Sequence, residues 1–343
     1  MNLRARIDDS GKWGPLWLGL LIVVGYLSAR VAHDALFVAT VGFPAGFYPF
    51  WQSRLWWPEL VNALQLGFIP AALMMARRGI ARDLGVLAPA LSCNAEELAD
   101  IRVAATRTTS IGARAFKLSA LIGAFALVFT DPAIAMRAEP SLTHPAFVWS
   151  CIRVPTFVWL FSTLIVADFN STRTYYELGR GLTKVDLLDV PFLSPFARKG
   201  LRSALMWVLF SILLSLFWLG DGIASPQNFP LLIVLLSMAS AAFVVPLIGV
   251  HASIRSAKQL ELGRVRELIR AERGVVVDGS KDQADAGPNM ANLVSYYLLI
   301  DRTREWPIDA VNLLRFFMYL LIGLGSWLGG AVVELMLDSA LSS

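Results

Sequence analysis

Charged residues, cysteine and histidine are all scarce in this sequence. Charged side chains make up 16% of its 343 residues, whereas they make up about a quarter of soluble domains. The two cysteines, Cys93 and Cys151, are too far apart in sequence to indicate a zinc site or a small disulfide framework. The three histidines lie in three different segments. We therefore predict no metal ion and no cofactor.

Sequence motifs of common enzymes are absent as well. The chain contains no HExxH, no GxSxG, no P-loop and no GxGxxG. Asp186 and Asp189 precede a basic cluster, a pattern that can hold Mg²⁺ on a lipid pyrophosphate. Ser194 and Pro195 offer the alternative that this stretch is the cap and first turn of a helix. The sequence therefore favours a protein without catalytic residues.

Apolar residues, by contrast, are abundant and clustered. They make up 56% of the chain and are concentrated in stretches of roughly 18 residues or more, enough for a helix to cross a hydrocarbon core of about 30 Å. The first stretch lacks the small-residue exit of a cleaved signal peptide, so we interpret it as a span. The sequence predicts an all-α, polytopic transmembrane helix bundle with seven spans, at about 13–32, 59–76, 115–135, 146–168, 201–220, 230–253 and 308–335.

Basic residues predict the orientation of this bundle. Of the 30 lysines and arginines, 25 fall in the N-terminal tail and the even-numbered turns, three fall on the opposite side, and two lie inside spans. Because lysine and arginine mark cytoplasmic loops, we expect the N-terminus inside and the C-terminus outside. This asymmetry explains the positive charge without a nucleic acid. The expected location is the plasma (inner) membrane, in contact with its lipids.

The predicted cytoplasmic segments are long and helical in pattern. Residues 231–273 have the pattern of one helix of about 60 Å, with Ile254, Leu262, Val265 and Ile269 near helical spacing. Leu293, Tyr297 and Ile300 share one face of a later helix. We expect a cytoplasmic helical layer, built from residues 77–114, 169–200 and 254–306.

The last span begins at a proline. Pro307 lacks an amide hydrogen and fits the first turn of a helix, and Asp309 is expected in that turn. The cytoplasmic helix is therefore predicted to end near Glu305, and a new helix to begin at Pro307. The break is either a hinge or a simple corner between surface and membrane.

Small residues form a ridge further along the same span. Gly325 and Gly329 form a GxxxG pair, and Ser326 and Gly330 repeat the spacing beside it. Such ridges let two helix backbones approach closely in lipid. Either the ridge packs inside the chain, against a similar ridge in span three (Ala115, Ser119 and Gly123), or it meets copies of itself.

Charged residues inside spans are rare and usually paired. Arg315 lies at a depth that could bring it to Asp168. Arg153 lies near the opposite surface, where the available acids are Asp131, Asp221 and Glu334. We interpret these residues either as structural ion pairs or as long side chains that reach the membrane surface.

One loop on the predicted outer side, residues 37–60, is rich in aromatic residues. Phe47, Trp51, Trp56 and Trp57 belong to it, and such rings prefer the headgroup layer. An interfacial anchor is the first interpretation. An aromatic mouth that binds an apolar or cationic small molecule is the alternative.

The order of these segments resembles that of the insect chemoreceptor-like ion channels. The shared features are seven spans, an inside N-terminus, cytoplasmic extensions of the middle spans and a last span that starts anew at Pro307. The resemblance implies a homo-oligomeric channel, a tetramer in that superfamily, whose last helices line a pore. It carries over no functional residue. The alternative is a non-catalytic membrane scaffold or assembly partner that binds another protein through its cytoplasmic helices.

Overall fold

The described residues form α-helices and two short 3-10 helices. The structure is a computed structural model, and it describes residues 13–42, 56–91, 93–130, 145–182, 185–218, 229–277 and 283–341. These residues contain no strand, which confirms the predicted all-α class. Their α-helices are α1 (Gly14–Val41), α2 (Trp56–Leu91), α3 (Ala95–Thr106), α4 (Ile111–Thr130), α5 (Pro145–Arg180), α6 (Ser194–Ser215), α7 (Phe229–Val277), α8 (Gln283–Asp301) and α9 (Ala310–Leu341).

Within the described residues, five helices are long and apolar enough to cross a membrane: α1, α2, α5, α7 and α9. This confirms the coarser prediction, because several apolar helices of this length fit a multi-pass membrane protein. The predicted spans at 115–135 and 201–220 fall on α4 and α6, which are not among the five. In α6, Arg198, Lys199 and Arg202 occupy the first half of the helix. The number seven and the orientation stay predictions.

Several helices continue well past the predicted ends of their spans. α1 runs to Val41, well past the predicted end of the first span at residue 32, so Arg30 lies inside a helix that continues beyond it. α5 ends at Arg180 beside Gly181, where the sequence predicts a stop. α7 has 49 residues, about 74 Å at 1.5 Å per residue. The single long helix predicted for residues 231–273 is therefore confirmed.

Contacts with α6 show the directions in which the neighbouring helices α2 and α9 run. Trp57 at the start of α2 donates a hydrogen bond to the carbonyl of Leu216, just beyond α6 (2.7 Å), so α2 and α6 are antiparallel. Trp327 of α9 donates to Ser211 of α6 (3.1 Å), and Gly323 faces Val208, so α9 and α6 are parallel. The buried rings of α6 form the centre of the core.

Glycines allow the closest helix contacts. A Cβ at Gly179 of α5 would lie 2.7 Å from the amide nitrogen of Val250 in α7, and one at Gly249 would meet the carbonyl oxygen of Tyr176. A Cβ at Gly200 of α6 would lie 2.8 Å from the carbonyl oxygen of Phe243. These backbone contacts fix α5, α6 and α7 against one another.

The extension of α7 packs against α8. Ile254, Leu262 and Val265 are buried, as their helical spacing predicts, and so is Ile300 of α8. Tyr296 of α8 donates a hydrogen bond to Glu261 of α7 (3.1 Å). Burial and this hydrogen bond raise the pKa of Tyr296, so its hydroxyl stays protonated and able to donate. That this layer is cytoplasmic stays a prediction.

The break before the last span is present but lies a few residues from its predicted position. α8 ends at Asp301 and α9 begins at Ala310. Asp309 caps α9 instead of lying in its first turn, because its Oδ1 accepts a hydrogen bond from the amide of Asn312 (2.8 Å). His251 of α7 stacks on Trp306 with ring centroids 4.2 Å apart, which holds the connecting segment against the bundle.

Candidate functional site

Two networks of buried charged residues join the helices and form the most unusual chemistry of the described residues. The first network contains Arg30 and Asp34 of α1, Glu59 of α2 and Arg153 of α5. Arg30 Nη1 lies 2.7 Å from Asp34 Oδ1, and Arg30 Nε lies 3.6 Å from Glu59 Oε1. Arg153 Nη1 lies 3.6 Å from the same Glu59 oxygen. Arg30, Asp34 and Glu59 are buried, so two cations and two carboxylates neutralise one another away from solvent.

Aromatic and polar side chains complete the first network. Tyr26 donates a hydrogen bond to Glu59, and Trp149 donates to the Tyr26 hydroxyl (3.2 Å). The Arg30 guanidinium lies 5.2 Å from the centroid of the Trp149 ring, a cation–π contact. His33 Nδ1 lies 3.0 Å from Asp34 Oδ1. These contacts connect α1, α2 and α5 at one end of the bundle.

The second network is centred on Asp168 of α5. Its Oδ1 accepts hydrogen bonds from Lys199 (3.2 Å) and Ser203 (2.6 Å) of α6, and its Oδ2 accepts one from Trp207 (2.8 Å). Lys199 also donates to Thr172 (3.1 Å). Lys199 is buried, so its charge is stabilised mainly by Asp168 and these hydroxyls.

A second acid of the same network lies on α2. Asp83 is fully buried and pairs with Arg202 of α6, whose side chain lies against Gly79. Arg198 Nε lies 3.8 Å from Asp83 Oδ1. The Tyr175 hydroxyl of α5 contacts the same carboxylate at 3.5 Å. The second network therefore joins α2, α5 and α6.

The two networks lie at opposite ends of an uncharged zone. Along α2 no charged residue occurs between Glu59 and Arg77, a distance of about 27 Å at 1.5 Å per residue. Along α5 none occurs between Arg153 and Asp168. The zone on α2 has nearly the thickness of a hydrocarbon core. Paired charges at both of its ends fix the depth and register of the helices.

The charged residues predicted in the spans do not have their predicted partners. The Arg315–Asp168 pair is wrong: Asp168 faces Lys199, and Arg315 is exposed and forms no ion pair among the described residues. Arg153 is paired with Glu59. Asp131 and Asp221 lie outside the described residues, and the side chain of Glu334 is not described. The predicted pairs were wrong because the depth of a charged residue along its own helix does not tell which neighbouring helix carries its partner.

Two members of the small-residue ridge of α9, Gly325 and Gly329, face away from the described part of the bundle. A Cβ at Gly325 or Gly329 would meet no atom within 4 Å, and the same holds for Gly123 of α4. The glycine of α9 that packs inside the chain is Gly323, between Val208 and Leu236. Gly325 and Gly329 therefore do not pack against span three, which was one of the two interpretations of the ridge.

Ser326 and Gly330, the other members of the ridge, are partly exposed. The Ser326 hydroxyl donates to the carbonyl of Gly323 in its own helix (2.8 Å). Its hydrogen-bonding capacity is thus used within α9.

The predicted outer aromatic mouth is only partly described. Phe47 and Trp51 lie outside the described residues. Trp56 is half exposed and makes an edge contact with Trp57, with centroids 5.6 Å apart. Trp57 uses its indole nitrogen in the contact with Leu216. Trp57 therefore joins α2 to the end of α6, and Trp56 is the more exposed of the two described rings of the predicted mouth.

One cavity lies beside the second network, and another lies beside the α8–α9 connection. One, of about 400 Å³, is walled by apolar residues of α5, α6 and α7, with Asp168 at its edge. The other, of about 570 Å³, is lined by Leu187, Leu188, Val190 and Ser194 and by residues between Leu299 and Asn312. No group of three or more His, Cys, Asp and Glu side chains in the described ranges is arranged to hold a metal ion.

Sequence reasoning missed most members of the two networks. Arg30 and Asp34 are four residues apart, and a longer first helix would have placed both on one face. Glu59, at the first residue of a predicted span, was not considered as a partner. Asp83 and Lys199 offered no signal, because they lie in segments predicted to be cytoplasmic and solvated.

The chain was compared with known proteins. It matches no protein-family model, and neither a curated protein nor a solved structure is significantly similar to it.

Proposed function

We propose that this protein is a multi-pass protein of the plasma (inner) membrane that forms a homo-oligomeric ion channel, with α9 near the symmetry axis. One observation carries the proposal: Gly325 and Gly329 open onto empty space on the outer surface of α9. A glycine pair of this spacing on an exposed helix face lets a second helix approach closely. The predicted order of segments, which resembles that of the insect chemoreceptor-like channels, supports an assembly of this kind.

The exposure of α9 supports the same proposal. Only 17% of the apolar stretch in the first part of α9 is buried inside the described structure. Phe316, Gly323 and Trp327 form the face that packs on the bundle, and the glycine pair lies on another face. Contacts with copies of the chain would use the face that the monomer leaves free.

The test is substitution of Gly329 by leucine. A Cβ at this position would meet no described atom within 4 Å, so we expect the chain to accommodate Gly329→Leu. We expect the variant to fold, to change from oligomer to monomer in mild detergent, and to lose the ion conductance of the parent in planar bilayers. Gly123→Leu is the matched control, since its Cβ position on α4 is equally open.

The outcomes separate the candidate functions. Loss of oligomer and current in Gly329→Leu but not in Gly123→Leu supports the channel. A parent protein that is monomeric and carries no current excludes it. Equal effects of both substitutions would show that α9 has no special position.

A membrane scaffold that binds a partner protein is the second candidate. It is favoured by apolar side chains that stay exposed on the α7 extension and on α8. Leu260 is 76% exposed, and Leu268 and Leu298 are each 48% exposed. Outside a membrane, such residues often mark a protein contact. A monomeric, non-conducting parent leaves this function in place of the channel.

A further inference from the structure

The cavity of about 570 Å³ lies where the α8–α9 connection meets the segment before α6. Small-molecule sites typically have volumes of roughly 300–1,000 Å³, so this cavity is large enough for a ligand. It is bounded on one side by Leu187 and Leu188 and on the other by Leu299, Trp306 and Ile308.

Apolar side chains in this cavity remain exposed. Leu188 is 63% exposed, Leu299 is 54% exposed and Trp306 is 45% exposed. Trp306 is held in place by stacking on His251, whose Nδ1 lies 3.1 Å from the carbonyl oxygen of Glu305. A hydrocarbon chain that covers these three residues would remove a sizeable apolar surface from water.

Arg304 is the one cation among the described residues that line the cavity. Among the described residues, Arg304 takes part in no ion pair, and its side chain is exposed. Of the acids nearest in sequence, Glu305 pairs with Lys258 at 3.4 Å, and Asp309, which also lines the cavity, caps α9 with its Oδ1. The cavity thus combines apolar walls with the guanidinium of Arg304 and the carboxylate of Asp309, which is held at the start of α9.

The place of the cavity beside a candidate span indicates the kind of ligand. Several residues that line it directly precede α9, one of the helices that can cross a membrane. One of them, Trp306, belongs to a residue type that prefers the headgroup layer. We propose that it binds an anionic phospholipid, whose phosphate contacts Arg304 and whose upper acyl chain covers Leu188, Leu299 and Trp306. The inference rests on the membrane location and is independent of the channel.

The test uses the full-length protein in mild detergent with added phosphatidylglycerol. Bound lipid is counted by native mass spectrometry, and the thermal unfolding midpoint is measured in parallel. Loss of one arginine near an anionic headgroup should weaken retention about fivefold in Arg304→Gln. Arg304→Lys should retain most of the binding. Arg302→Gln is the matched control, because Arg302 is also exposed but does not line the cavity.

The apolar wall is tested separately. Leu188→Glu places a negative charge in the cavity and should also reduce retention, whereas Leu260→Glu, at an exposed position on α7, should not. Both positions are exposed, so both variants should fold. The proposal is overturned if Arg302→Gln weakens binding as much as Arg304→Gln, or if phosphatidylcholine is retained equally well. Stabilisation by inorganic phosphate alone to the same extent would also overturn it.

Discussion

At the scale of single residues, the buried charges are held by neighbours that are distant in sequence. Asp168 is surrounded by three donors from α6, and Glu59 lies between arginines of α1 and α5. Each carboxylate thereby recovers in hydrogen bonds and ion pairs part of the solvation that it loses on burial. Depth along one helix predicts that such a charge needs a partner, and the packing of the helices decides which one.

The Asp168–Lys199 pair gives a prediction at this scale. Lys199→Met leaves Asp168 buried without its cation, and breaking a buried pair in this way costs about 3–5 kcal/mol of unfolding free energy. Arg173→Ala is the control, because the Arg173–Glu177 pair is exposed and contributes at most about 1 kcal/mol.

Unfolding in detergent measures both effects. The double variant Asp168→Leu, Lys199→Met should be more stable than Lys199→Met alone, since no unpaired charge remains. Losses that simply add would show that the two residues do not stabilise each other.

At the scale of helices, the type and the approximate extent of most elements are readable from the sequence. The long α7, the end of α5 near Gly181 and the break before α9 follow from apolar periodicity and from glycine and proline. The boundary at α9 moved by three residues because Asp309 serves as a cap. The end of α1 was missed, since Arg30 and Asp34 pair with each other and continue the helix through a charged stretch.

Two glycines of α7 give a prediction at the scale of this helix. A side chain at Gly249 would meet the backbone carbonyl of Tyr176 and push α5 away, so Gly249→Ala should destabilise the protein by about 1–3 kcal/mol. A side chain at Gly263 meets nothing within 4 Å, so Gly263→Ala should be neutral or stabilise the helix by up to about 1 kcal/mol. Thermal unfolding of the two variants tests the difference. A stabilised Gly249→Ala would contradict the close packing of α5 and α7.

At the scale of the whole molecule, the predicted orientation can be tested by labelling. In a background without Cys93 and Cys151, cysteines at the exposed positions Thr40 and Ser339 should react with an impermeant reagent in intact cells. Cysteines at Glu96 and Arg302, also exposed, should react only after permeabilisation. Labelling of Arg302→Cys in intact cells would exclude the seven-span topology.

The sequence by itself determined the class of this protein. Its apolar stretches specify helices long enough for a membrane, because composition and periodicity are local properties that need no knowledge of neighbours. Its charge asymmetry predicts an N-terminus inside and a C-terminus outside.

Only the tertiary structure decided the partners. Asp168 pairs with Lys199 and not with Arg315, Arg153 pairs with Glu59, and Gly323 instead of the GxxxG pair packs inside the chain. The physical reason is the same in each case. Ion pairs and close helix contacts depend on which faces of different helices meet, and that is fixed by the packing of the whole bundle around α6 rather than by any single segment.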